Sequence, residues 1–457
     1  MDSKNGSILD SILAAGLLFA IVFTAAAFGS VETWSLAIFE LIIAILTALW
    51  ILKCLAAKAL VVEIPPVTLP ILGLIAWGTV QTLKLGLGSG PGNAISLDVG
   101  ATRNSLEVLV FMMLAFLLAS NFFRTRRTLQ RLAVFFSVYA VAMAVFALIQ
   151  HFTWSGAYYW FRASKELEGF GPFVNRDHFA GYMEMLAPIP LALVLADGVD
   201  REKRALYGFA TVLAVIAGVA SLSRGGLISL ATEGVFLGLW VYRSKRLRHH
   251  PAASTGPKAR SGRLAQAVTA AAIIGSAGLG LLWIGAEPIL GRAANLVQEL
   301  RSNETSYISR QWIWRDTLSM IKAHPAGGAG LGAFSTVFPV FSHANGQLIV
   351  AQAHNDYLQI LADCGLVGGL LATWFLVALF FSARAALASR DRFLAGLALG
   401  CSTGLLGLLI HSMFDFNLQI PSNALLFLLL TAVVSTIGAT GTGGSKNLTA
   451  LKQVRGD

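Results

Sequence analysis

An all-α polytopic membrane fold follows from three properties of this 457-residue chain. Hydrophobic residues make up 56% and charged residues only 13% of it, the mean hydropathy is +0.68, and apolar runs of roughly 18–22 residues recur from residue 8 to residue 438. One soluble domain has no interior for so much apolar surface, and a soluble body on a single anchor would gather it in one segment. Both classes are excluded, and with them the peripheral enzyme.

Charge-bounded apolar runs predict spans over 8–28, 34–55, 68–83, 105–122, 132–150 and 179–196, then over 205–221, 226–242, 265–284, 365–383, 393–412 and 420–438, about twelve in all. The first follows Lys4 and precedes small residues around Ala25, as a signal peptide would. Its apolar stretch of about 20 residues is too long for a cleaved segment, so it is a span. The third is short and flanked by Gly and Pro, and the sixth contains Pro188 and Pro190, so either is open to being broken or re-entrant. The chain divides into 1–150 with spans one to five, 151–284 with spans six to nine and an outer loop over 151–178, a large outer loop over 285–364 with short helices, 365–440 with spans ten to twelve, and a tail over 441–457.

An even number of spans puts both termini on one side. With the N-terminus cytoplasmic, most of the 34 Lys and Arg fall on that side, in clusters such as Arg124, Arg126, Arg127 and Arg131. The net charge of +10 therefore reports orientation, and no aromatic-interleaved basic patch points to nucleic acid. Cys54, Cys364 and Cys401 lie in or beside spans and form no disulfide framework.

The cations that stay outside against this rule sit mostly in the two outer loops, where the chemistry is expected. A diphosphate leaving group requires cations and backbone N–H groups against the charge growing on its oxygens, and no proton donor. Arg224 in SLSRGG, where Gly225 and Gly226 permit close approach at a helix start, and Arg310, with Trp314 one turn on, suit that need. Arg224 equally suits an interfacial anchor, and Arg310 a solvated helix face. An attacking hydroxyl needs a base, and His354 is the candidate, since a free imidazole titrates near about pH 6.5. His151, His178, His324 and His343 read as surface or capping residues at loop edges, and His411, with Asp415 four residues on, as one end of a structural hydrogen bond. No HExxH, C-x-x-C or D-x-D occurs, and the glycines from Gly327 to Gly332 have no following Lys-Ser/Thr, so they read as a tight turn between a helix and an extended segment. Metal and cofactor are expected to be absent. Glu40, Glu107, Glu184 and Glu233 lie in or beside spans, as a proton- or ion-coupled transporter would have them, or as internal hydrogen bonds between helices would.

The stretches GFGPFVNRDHFAGYMEMLAPIPL (169–191), SLSRGGLISL (221–230), SRQWIWRDTLSMIKAHPAGGAGLGAF (309–334), AHNDYLQILADCGLVGGLL (353–371) and IHSMFDFNLQIPSNALLFLLL (410–430) together resemble the superfamily of O-antigen ligases and Wzy-type polymerases. The resemblance implies a metal-independent, inverting glycosyltransferase of lipopolysaccharide or exopolysaccharide synthesis in the bacterial inner membrane. Its donor would be an undecaprenyl-diphosphate-linked glycan, its site would face the periplasm, and both termini would be cytoplasmic. The acceptor would be lipid A core for a ligase, a second lipid-linked glycan for a polymerase, or a protein for an O-oligosaccharyltransferase. The resemblance places diphosphate binding on Arg224 and Arg310 and catalysis on His354, with Asn355 and Tyr357 in the same motif and Arg176, Arg315, His411 and Asp415 as possible supports. The family often carries N-x-N near residue 175; here the chain reads Asn175, Arg176, Asp177, His178, and Arg176 offers a further donor contact.

Overall fold

The computed structural model describes residues 3–58, 62–86, 88–163, 169–248, 310–343 and 349–441. In chain order its helices are α1 (Ser3–Ala26), α2 (Thr33–Ala56), α3 (Thr68–Thr82), α4 (Val99–Phe122), α5 (Arg126–Phe152), α6 (Arg176–Leu186), α7 (Pro188–Leu195), α8 (Arg204–Ala220), α9 (Arg224–Arg248), α10 (Arg310–Ala323), α11 (Phe334–Val337), α12 (Asp356–Leu387), α13 (Arg392–His411) and α14 (Pro421–Gly441). Without water to bond the backbone, an apolar run crossing lipid satisfies its N–H and C=O groups internally as helix. Polar residues set the ends: Asp98 Oδ1 accepts from Ala101 N at the start of α4, Thr125 and Thr128 form a capping box on α5, and Asp391 Oδ1 accepts from Phe393 N and Leu394 N on α13.

Among the described residues, ten helical stretches are long and apolar enough to cross a bilayer, and the chain is a multi-pass membrane protein. Two of the twelve expected spans stand apart. The stretch 265–284 lies outside the described residues. The third is α3, a helix of 15 residues, which reaches only about 22 Å and falls short of the hydrocarbon thickness. The sixth is broken: Pro188 and Pro190 lack the N–H groups that α6 would need to continue, and α7 restarts at Pro188, the two together spanning Arg176–Leu195.

The α6–α7 pair, α13 and α14 are the most buried spans and form the centre, around Tyr182, Leu397 and Leu426, with Phe39, Phe116 and Phe136 packed from outside. Leu41, Leu52, Val138, Leu206, Phe209, Leu370 and Phe380 point outward, as a lipid-facing surface requires. At one end of the bundle Arg126 pairs with Asp391, Arg124 with Glu63, and Arg204 with Asp197, at 3.0, 2.8 and 2.7 Å. The opposite end carries the residues singled out above. There the described part of the 151–178 loop forms a two-residue antiparallel ribbon, β1 (Ala157–Tyr158) with β2 (Arg162–Ala163). Its Arg162 pairs with Glu32 and lies over the Phe28 ring at 4.3 Å.

Part of the large loop builds a second small core at the same end, from Met320, Ala329, Phe334, Phe338, Ala353 and Ala362. Its base is the first three turns of α12, which begins at Asp356, nine residues before the apolar run expected at 365, and kinks at Gly365 (φ 59°, ψ −155°). The glycine turn docks on this kink. Ala329 N and Gly330 N donate to the carbonyls of Ala362 and Asp363, and Gln81 of α3 donates to Gly327 O and Asp363 O while accepting from Leu331 N. The turn leads into the short helix α11, where an extended segment was expected, because stacked Phe334 and Phe338 close a compact apolar turn there. A Cβ on Gly365 would lie 2.4 Å from Ala326 O, in a backbone conformation open essentially to glycine alone. Gly365→Ala is expected to destabilise by about 2 kcal/mol or more, read as a thermal shift of several degrees in detergent, whereas the same exchange at the open Gly234 should not destabilise.

Candidate functional site

The site is assembled by four short segments meeting the turn after α13, at the end opposite the Arg124, Arg126 and Arg204 ion pairs. The first is the HNDY motif before α12. Asn355 caps the helix, its Oδ1 accepting from Tyr357 N and Leu358 N at 3.0 Å, and its Nδ2 donates to Met413 O at 2.9 Å. Asp356 accepts from Ser412 Oγ at 2.7 Å and from Leu418 N at 3.1 Å, and Tyr357 Oη donates to Leu409 O at 2.8 Å. Three consecutive residues thus bind the start of α12 to the end of α13 and the turn after it. Asn355 and Tyr357 hold backbone, which is the work of positioning.

That turn carries Asp415 to His354. His354 Nδ1 and Asp415 Oδ1 are 3.1 Å apart. Asp415 is fully buried and the His354 side chain is 29% exposed, so the imidazole is reachable while its carboxylate partner is not. His354 sits at φ +49°, a left-handed conformation uncommon for a side-chain-bearing residue. It is held there by Trp314 Nε1 donating to His354 O at 3.3 Å and by Gln359 Oε1 accepting from Ala353 N at 2.7 Å.

The second segment is the start of α10. Arg310, its first described residue, pairs with Asp177 Oδ2 at 3.1 Å and contributes positive potential at Asp415. Trp314, one turn on, reaches the His354 backbone from the same face, as helical spacing allows. Arg315 is exposed and stacks on Trp312 at 5.6 Å instead.

The third segment is the start of α6. Asn175 Oδ1 accepts from Asp177 N at 2.8 Å as the cap, Arg176 and Asp177 follow half-buried, and His178 turns inward. His178 was expected in an ordinary surface or capping role; it is instead buried, 3.7 Å from Asp415 Oδ2. The fourth is the start of α9, where Ser223 Oγ accepts from Gly226 N at 3.1 Å and Arg224 opens the helix. The close approach that Gly225 and Gly226 permit is to protein. A Cβ on Gly225 would lie 2.6 Å from His411 Nε2, and one on Gly226 3.0 Å from Glu184 Oε1. His411 bonds Glu184 through Nδ1 at 3.1 Å, where a bond to Asp415 was the expectation. Helix α13 ends at His411, so the chain turns and Asp415 leaves the helical face that four-residue spacing would give it.

Burial acts to raise the pKa of Asp415, but the hydrogen bond from His354 and the neighbouring His178, Arg310 and His411 outweigh it and hold the carboxyl well below the usual carboxylate range. Asp415 is therefore an anion fixed beneath an accessible imidazole. Such an arrangement orients His354 and fixes its tautomer, with cations at hand for an incoming anion. Among the described residues no three His, Cys, Asp or Glu side chains converge as metal ligands.

Sequence reasoning missed Asp177 and His178 as site residues. Their only signal was the departure from N-x-N. No curated protein matches the chain. Residues 209–373 match the family model for O-antigen ligase, a stretch that takes in Arg224, Arg310, His354, Asn355 and Tyr357, and this match supports the chain's membership of the O-antigen ligase superfamily.

Proposed function

We propose that the protein transfers a glycan from an undecaprenyl-diphosphate donor to an acceptor hydroxyl at the periplasmic face of the bacterial inner membrane, as a metal-independent, inverting glycosyltransferase of the O-antigen ligase type. The family match supports a ligase- or polymerase-type membrane function with lipid-linked glycan substrates. The single observation that carries the reading is the His354–Asp415 pair, 3.1 Å apart, with Arg310 beside it. His354 Nε2 takes the proton from the acceptor hydroxyl as its oxygen attacks the anomeric carbon. The bond from that carbon to the diphosphate oxygen breaks on the opposite face, its electron pair leaving with undecaprenyl diphosphate. Arg310, parked on Asp177 in the structure, and Arg224 at the start of α9 receive that charge.

Acceptor choice is read directly from purified protein in liposomes given an undecaprenyl-diphosphate glycan. A ligase extends lipid A core, and a polymerase of the same superfamily extends a second copy of the donor. A donor consumed with neither overturns the reading. A proton- or ion-coupled transporter, the rival class, would move solute with the donor intact and depend on Glu184 or Glu233.

A further inference from the structure

The Asn175-Arg176-Asp177-His178 turn brings a second imidazole to the carboxylate that serves His354. His178 Nε2 and Asp415 Oδ2 are 3.7 Å apart, with side chains 8% and 0% exposed, and neither atom has a hydrogen-bond partner. Two buried polar atoms facing each other just beyond hydrogen-bond reach are each paying desolvation without return, and a movement of about 0.5 Å closes the bond. The surroundings guide that movement. His178 and His354 each stand edge-on to Phe416, with ring centroids at 4.8 Å in both cases, and Asn423 Nδ2 holds His178 O at 3.0 Å.

We propose that His178 is a positioning residue for the transfer: its Nε2–H closes onto Asp415 Oδ2, so that an imidazole holds each oxygen of the carboxylate and Oδ1 stays aimed at His354. This rests on reading His354 as the base. The charged and titratable groups around His178 are Asp177 on its own helix, Asp415 on the 412–417 turn, His411 on α13 and His354 before α12; Arg310 of α10 adds positive potential at the Asp415 carboxylate. Asp177 is engaged by Arg310, and Glu184, farther along α6, by His411. His178 is the group aimed at the second oxygen of Asp415. A carboxylate shared between two donors places less negative potential on His354 than one devoted to it alone. Loss of the His178 N–H therefore makes His354 easier to protonate and moves the acid limb of the rate profile to higher pH.

The test uses the full-length protein in liposomes with an undecaprenyl-diphosphate glycan and the acceptor it extends, comparing His178→Phe, which keeps a ring against Phe416, with His178→Gln, which keeps an N–H donor. The Phe variant is expected to lose about tenfold in kcat with donor KM within about twofold, and its kcat/KM acid limb to rise by about half a pH unit or more. The Gln variant is expected to stay within about threefold of wild type with the limb in place. A Phe variant whose limb does not move, whether or not it is slower, overturns the proposal, as does a Gln variant that falls as far as the Phe variant. His354→Ala run alongside separates the two readings: full turnover there removes the base assignment, whereas its loss together with an unmoved His178→Phe limb removes only the role of His178.

Discussion

His354→Ala is expected to lower turnover about 100- to 10,000-fold, the usual contribution of a positioned general base, while donor affinity stays within about twofold. In the proposed transfer His354 meets the acceptor hydroxyl and the arginines meet the diphosphate, so the effect belongs in kcat. Asp415→Asn should follow it at smaller amplitude: the amide keeps the shape but removes the charge that stabilises the protonated imidazole. The pH dependence has a definite sign. The folded pKa of Asp415 is depressed, so the stability it contributes is complete above its unfolded value near ~3.9 and is lost as pH falls from there through the folded value. Between about pH 5 and 8 the carboxylate stays charged, so a loss of rate in that range does not come from Asp415. Measuring kcat/KM against pH in wild type and Asp415→Asn checks this, and an acid-side loss that vanishes in the variant contradicts it.

The second large effect is at the arginines. Arg310→Ala and Arg224→Ala are each expected to lower kcat/KM about 100- to 1,000-fold, the scale of a donor aimed at developing negative charge. Arg310→Ala should be the worse of the two, for a reason visible in the structure. It removes a cation and also takes from Asp177 its partner at 3.1 Å, which in the proposed transfer leaves an anion beside the incoming diphosphate. Asp177→Asn in the Arg310→Ala background should therefore recover part of the loss, about tenfold, by removing that repulsion. Arg310→Lys should recover less than full activity, because an ammonium replaces a fork able to bind two oxygens at once. No recovery in the double variant would show that Asp177 does not face the donor.

Much of the bundle is legible in the sequence because lipid imposes one strong rule, and apolar runs bounded by charge mark nearly every described span. Length was the weak point at α3, where flanking Gly and Pro end the helix at 15 residues. The candidate residues stood out because Arg224 and Arg310 are cations on the side where cations are scarce, and the loop histidine His354 follows them. What the sequence did not show is pairing. Asp415 lies four residues after His411, and helical spacing links the two, yet the helix stops at His411 and the turn delivers Asp415 to His354. Glu184 was open in the sequence to a transporter role or an internal hydrogen bond between helices, and α6 places it in such a bond with His411. Asp177 and His178 were visible only as a departure from a family pattern, since their partners lie far along the chain and nothing local announces a buried histidine. His178, Glu184, His411 and Asp415 also fall outside the stretch matched by the family model. This half of the site emerges only from packing.

The most direct measurement is product analysis with wild-type protein in liposomes, given an undecaprenyl-diphosphate glycan labelled in its first sugar together with the acceptor. Label should appear on an acceptor hydroxyl with the anomeric configuration inverted and an equal amount of free undecaprenyl diphosphate released. Label that crosses the bilayer still attached to its lipid, or product formed with retained configuration, contradicts the account.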